Sequence, residues 1–132
     1  MNTTNLIQKY YDSFNQGNVE GMFSCLHADF VHDVNEGKRQ GGLAEFTKFM
    51  DHMNTCYKEE LKDIYIMPHA SGNRASAEFV VHGTYLKTDG KLPEAKNQKY
   101  VIPAGTFFEI KDGKILRVTT YYNLNDWIKQ VS

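Results

Sequence analysis

Two residues in the first quarter of the chain have the types and setting for proton chemistry. Tyr10 lies in the run Leu6-Ile7-Gln8-Lys9-Tyr10-Tyr11-Asp12-Ser13-Phe14-Asn15. Its apolar positions fall on adjoining helical rows, so residues 4–16 read as an amphipathic helix. Asp33 ends the apolar strand start Phe30-Val31-His32-Asp33, where a core residue would be expected. A tyrosine that donates a hydrogen bond and a half-buried carboxylate that accepts a proton can move protons next to a carbonyl. On a strand Asp33 points the same way as Val31, and a pocket there would raise its pKa into a useful range. Asn35 shares that parity and could orient a polar group of a substrate. His32 has the opposite parity and is expected on the other face. His82 lies mid-strand and is expected at the surface or at a subunit interface.

The elements that must position these groups follow from the pattern. Gly17 stops the first helix and Asn18 caps a second, striped by Val19, Met22, Phe23 and Leu26. Residues 29–35 read as a strand, and Glu36–Gly42 as a polar, glycine-rich loop. Leu43, Phe46, Met50, Met53 and Tyr57 recur at steps of three and four and mark a third helix. Strands follow at Leu61–Met67, Ala75–Lys87, Gln98–Ile110 and Lys114–Tyr122. The last two are joined by Lys111-Asp112-Gly113, a hairpin signal. Thr88–Asn97 reads as a polar loop. Asn123 or Asn125 caps a final helix carrying Trp127 and Ile128. Helices roofing one face of a curved, mostly antiparallel sheet make an α+β architecture with room for a pocket. The other sheet face needs cover, and a homodimer would supply it. Tyr57, Val101, Phe107, Tyr122 and Trp127 are candidate walls of the pocket.

Composition narrows the function classes. The 132 residues predict one domain spanning 1–132. Fifteen basic side chains balance sixteen acidic ones, which argues against a nucleic-acid partner. No apolar stretch approaches the ~20 residues that span a bilayer, and the N-terminus lacks a signal-peptide pattern, so a cytoplasmic protein without a membrane partner is expected. Cys25 and Cys56 show no metal-like spacing from one another and read as reduced thiols. The five histidines include no His-x-His or His-x₃-His pair, so no metal and no cofactor is expected. Eight Tyr, eight Phe and one Trp suit an aromatic-lined cavity.

The runs Ile7-Gln8-Lys9-Tyr10, Phe14 to Gly21, Val31-His32-Asp33, Arg39-Gln40-Gly41 and Val101–Phe107 resemble the ketosteroid isomerases. These belong to the wider superfamily that shares the nuclear transport factor 2 fold and includes SnoaL-like polyketide cyclases. The resemblance covers nearly the whole chain and implies a cone-shaped sheet roofed by three N-terminal helices. It places the family's oxyanion-hole tyrosine on Tyr10 and its general-base aspartate on Asp33. The family's second oxyanion donor, an aspartic acid, falls on Gly105, and its supporting tyrosine on Phe49 or Met50. In the isomerases that aspartic acid is held neutral by its apolar setting so that it can donate a hydrogen bond, and this chain lacks it. The resulting expectation is an isomerase-type enzyme acting on a hydrophobic, carbonyl-bearing small molecule. The alternatives are a non-catalytic ligand-binding or interaction module and a dehydratase or cyclase on the same fold.

Overall fold

Asn2 starts the first helix by accepting the Asn5 N–H on its side chain, and α1 runs Thr3–Asn15. Gly17 follows with φ +69°, a left-handed turn that a Cβ would strain. Asn18 then caps the short α2, Val19–Phe23. The computed structural model describes all 132 residues, Met1–Ser132. The chain continues as β1 (Leu26–Asp33), β2 (Arg39–Gly41) and α3 (Gly42–Cys56). Four strands follow: β3 (Tyr57–Pro68), β4 (Arg74–Tyr85), β5 (Lys99–Lys111) and β6 (Lys114–Tyr122). A last helix, α4, covers Leu124–Val131.

The six strands form one curved sheet in the order β2-β1-β6-β5-β4-β3. All neighbours pair antiparallel except β1 and β6, which are parallel. The helices pack on one face. There Leu6, Ile7, Tyr10 and Tyr11 of α1 meet Phe79, Ile102 and Phe108 of the sheet in the main apolar core. The architecture is the expected α+β one. Two local differences have physical causes. The segment read as a polar loop contains β2, because Arg39–Gly41 folds back on Val31–Asp33. The third helix stops at Cys56, so Tyr57 opens β3 instead of ending a helical stripe.

Two side-chain amides fasten helices to strand backbone. Asn15 donates to the Leu61 carbonyl (3.0 Å) and accepts the Leu61 N–H (2.8 Å). It thereby occupies a backbone site on β3 just before that strand bulges at Asp63, where φ is +54°. Gln130 of α4 does the same on β5, accepting from Val101 N–H and donating to its carbonyl, each at 2.9 Å. β6 ends opposite Ala104, so Val101 has no strand partner on that side. The Gln130 amide satisfies groups that would otherwise need water.

The outer sheet face is covered by no element of this chain. Val101, Phe107 and Tyr121 are each about half exposed there, with Phe107 and Tyr121 ring centroids 6.0 Å apart. No helix is long and apolar enough to cross a membrane. Asn15→Ala removes a donor and an acceptor from part-buried backbone. It is expected to cost about 1–3 kcal/mol, read as a fall in Tm against wild type.

Candidate functional site

The site begins with a row of three residues across the sheet. Glu59 of β3 lies opposite Gly83 of β4, and Gly83 lies opposite Tyr100 of β5. Strands are about 4.8 Å apart, so side chains two strands away do not ordinarily meet over an occupied middle position. Here the middle position has no side chain. A Cβ built on Gly83 would sit 2.2–2.4 Å from two ring carbons and the hydroxyl oxygen of Tyr100. Tyr100 therefore lies across Gly83, and its hydroxyl donates to Glu59 Oε2 at 2.5 Å. Burial pushes the Glu59 carboxyl above the usual carboxylate range, with the Tyr100 hydrogen bond opposing. Burial and the nearby Glu59 charge raise the Tyr100 phenol, which stays protonated.

This pair stands on the wall of a cavity of about 410 Å³ between helices and sheet. Its volume falls within the range of small-molecule sites. The wall is mainly apolar and aromatic, with Phe14, Phe46, Phe49, Met50 and Phe79 prominent. Trp127 of α4 lines the cavity, and its ring contacts Tyr57, Tyr85 and Tyr100 at centroid distances of 5.9, 4.9 and 5.9 Å. Leu92, from the loop between β4 and β5, also lines it. A second hollow of about 430 Å³ lies between the α1–α2 turn and α3. Glu59 and Tyr57 border both spaces, so the carboxyl stands where the two adjoin.

Other polar groups face the same space. His32 is held between aromatic rings, with Phe49 at 4.6 Å and Phe46 at 5.3 Å. Burial pushes its pKa down to about 4, against the raising effect of Asp33, so the ring is neutral at pH 7. Its Nδ1 and the Asn35 Nδ2 are buried without hydrogen-bond partners. Burial also raises the Tyr10 phenol, helped by nearby Cys25. The Tyr11 hydroxyl is paired with Thr106 at 2.6 Å. At the rim, Asp89 accepts from the Tyr57 hydroxyl on Oδ2 (2.6 Å) and meets His52 Nε2 on Oδ1 (2.7 Å).

The structure separates the two residues that the sequence pairs. Tyr10 lines the cavity, but Asp33 is absent from its wall. On β1 the buried, inward residues are Phe30 and His32, so Val31 and Asp33 take the outer face. There Arg39 grips Asp33 from Nε and Nη2 at 2.7 and 3.1 Å, and Thr119 donates to it at 2.6 Å. These hydrogen bonds hold the Asp33 carboxyl down at about 2, chiefly through Arg39, which makes it a poor base. His32, expected away from the pocket, takes the inward place. Asn35, Tyr57, Tyr122 and Trp127 line the cavity. Val101 and Phe107 do not. Tyr100, Ile102, Ala104, Thr106 and Phe108 are the buried set on β5, so the odd positions face outward. Gly105 falls in that outward set too, and the cavity meets Ala104 and Thr106 beside it.

Glu59 is hidden in Lys58-Glu59-Glu60, which reads as a solvated charge run. Its shared parity with Leu61 is the available signal, and a strand begun at Leu61 leaves it out. Tyr100 shares parity with Ile102 in the same way. Asp89 is masked by Gly90, which marks a turn whatever the aspartate does.

Two consequences are measurable. Gly83→Ala drives a methyl into the Tyr100 ring and is expected to cost about 1–3 kcal/mol and to detach Tyr100 from Glu59. A thermal melt, with the Tyr100 ring and phenol followed by NMR, checks both effects. Asp33 has a depressed pKa, so its stabilisation is present above its unfolded value of about 4 and lost as pH falls through about 2. Asp33→Asn is accordingly expected to lower Tm at pH 7, with the difference from wild type vanishing near pH 2.

The SnoaL-like domain model matches residues 7–118. A "putative polyketide cyclase" of Pseudomonas putida KT2440 is 53% identical, with TM-score 0.98 over 100% of this chain and 99% of that one. An NTF2-like protein of unknown function from Burkholderia pseudomallei shares the fold at 13% identity, with TM-score 0.79 over 100% of this chain and 98% of that one. So does an LEH-like epoxide hydrolase of M. tuberculosis, at 15% identity and TM-score 0.76 over 98% of this chain and 84% of that one. No curated protein matches the chain. The match over residues 7–118 places the chain in the SnoaL-like family, on a nuclear transport factor 2-like fold.

Proposed function

We propose that the chain is an acid–base enzyme acting on a hydrophobic, carbonyl-bearing ring compound or ring precursor, with Glu59 as the proton-transfer group. The carrying observation is a carboxyl with a raised pKa, hydrogen-bonded to Tyr100, on the wall of an aromatic cavity. A base must be ionised to accept a proton yet basic enough to hold it, and burial moves a carboxyl in that direction. Glu59 takes a proton from the carbon next to a carbonyl. The substrate becomes an enolate and Glu59 a carboxylic acid. The Tyr10 phenol, kept protonated by burial, donates to the enolate oxygen.

Return of that proton to another carbon completes an isomerisation. Alternatively, the enolate carbon attacks a second carbonyl of the same molecule, closing a ring, and Glu59 returns its proton to the new alkoxide. Either way the carboxylate is regenerated. The 53% identity to a protein described as a putative polyketide cyclase supports the ring-closing branch. The Trp127 and Tyr57 rings suit a flat, apolar substrate by stacking.

Solvent-deuterium exchange at carbons next to the carbonyl, followed by NMR over cyclic and aromatic ketones, tests this reading. Glu59→Gln is expected to slow exchange by about 10²–10⁴-fold, and Asp33→Asn to leave it. Exchange requires the Glu59 carboxylate, so the rate rises with pH through a limb above the ordinary glutamate value of about 4.3. The stability sign is opposite. A raised carboxyl favours the fold when protonated and loses that contribution as pH rises through its folded pKa. Glu59→Gln is thus expected to raise Tm at pH 7. Ketones that bind in the cavity but never exchange would make the protein a ligand-binding module instead.

A further inference from the structure

We propose that His52, Cys56 and Asp89 form a three-ligand site for a zinc-class divalent metal at the rim of the cavity. A His52 ring nitrogen, Cys56 Sγ and an Asp89 carboxylate oxygen lie within 4.8 Å of one another, with Nε2 2.7 Å from Asp89 Oδ1 and 3.9 Å from the sulfur. His52 and Cys56 are four residues apart on α3, one helical turn, and so share a face. Asp89 comes from the loop after β4. That loop is tied to the end of α3, because Leu86 and Lys87 both donate their N–H groups to the Cys56 carbonyl, at 2.8 and 3.3 Å. The three donors therefore sit on a braced frame.

The arrangement does not fit a nucleophilic relay. In such a triad the imidazole uses one nitrogen for the thiol and the other for the carboxylate. Here both partners approach Nε2, the sulfur at 3.9 Å and the carboxylate at 2.7 Å. One nitrogen cannot pass a proton between them. An imidazole nitrogen, a thiol sulfur and a carboxylate oxygen gathered within 4.8 Å make a donor set that a divalent metal ion can take.

Side-chain rotation alone brings the donors to metal spacing. Zinc–ligand bonds of about 2.0–2.3 Å at tetrahedral angles separate donors by roughly 3.3–3.7 Å. The sulfur–nitrogen distance of 3.9 Å is close, while the Asp89 carboxylate, 2.7 Å from Nε2, must release that hydrogen bond and take its place between the imidazole and the sulfur, which lie with it inside 4.8 Å. Mixed thiolate, imidazole and carboxylate donors suit zinc over magnesium or calcium. Asp89 Oδ2 keeps its hydrogen bond from Tyr57, which orients the ligating oxygen as outer partners of metal sites do. Binding displaces the Cys56 thiol proton to solvent. Three protein ligands leave one position for water or a ligand oxygen, and His52 and Asp89 both border the cavity.

Cobalt(II) is the probe, titrated into the full chain after chelator treatment and followed by absorption. The expected result is one cobalt per chain, with tetrahedral d–d bands and a thiolate-to-cobalt charge-transfer band. Cys56→Ser should abolish the charge-transfer band, and Cys25→Ser should keep it. Should Cys56→Ser fail to fold, Asp89→Asn and His52→Gln keep side-chain volume and should each weaken cobalt binding by about tenfold or more. No charge-transfer band at saturating cobalt, or one that survives Cys56→Ser, overturns the site. Undiminished affinity in both the Asp89 and His52 variants does so too. None of these readouts involves turnover, so they are independent of the reaction assigned to Glu59.

Discussion

The site depends on the emptiness above Gly83. A sheet normally keeps side chains of alternate strands apart by the width of the strand between them. Removing one side chain lets Tyr100 cross that strand and reach Glu59. The crossing ring also contacts Trp127, which with Leu124 brings α4 to the cavity wall. One missing Cβ therefore links the carboxyl, its hydrogen-bond donor and the last helix. The arrangement leaves an ionisable group with a raised pKa on a mainly apolar wall, a setting that catalytic carboxyls share.

Around that row, polar groups are tied to short-range geometry and apolar groups to volume. Tyr11 engages its hydroxyl with Thr106, and Tyr85 engages its own with the Pro93 carbonyl and the Asp89 N–H. Tyr11 thus gives aromatic bulk to the wall, and Tyr85 packs behind Tyr57 and Trp127, without leaving a polar atom stranded. His32 Nδ1 and Asn35 Nδ2 depart from that pattern. Both belong to β1 or the turn just after it, opposite the Glu59 side of the sheet order. His32, Asn35 and Glu59 thus line one cavity from two sides.

Helices and long strands are legible in the sequence because each carries enough repeats for its period to show. Phe46 and Met50 mark α3, Phe79 and Val81 mark β4, and Asp112-Gly113 marks the hairpin between β5 and β6. Site residues are less legible because alternation says which residues share a face, not which face is the inner one. Tyr57 and Asn35 do line the cavity, but Tyr57 does so from β3 instead of the third helix, and Asn35 does so because it lies past the end of β1, where the parity it would share with the outward Asp33 no longer holds. Val101 and Phe107 are apolar enough for a core, yet they occupy the opposite side of β5. The His52 and Cys56 pair escapes a histidine-to-histidine search because one of its donors is sulfur and its third member is distant in the chain.

The alternation along β1 has a consequence for how this scaffold changes over time. His32 and Asp33 are adjacent, yet one faces the cavity and the other an arginine on the far side. The pairing of β1 with β6 already shifts register between Leu26 and Val31. Because strand faces have a period of two, a one-residue slip of β1 following an inserted or deleted codon would exchange the two residues, at the cost of turning Phe30 out of the core. The cavity would trade a neutral imidazole for a carboxyl without any substitution within it. Diversification of chemistry on this scaffold can thus proceed through indels at a strand entrance as well as through point changes in the wall.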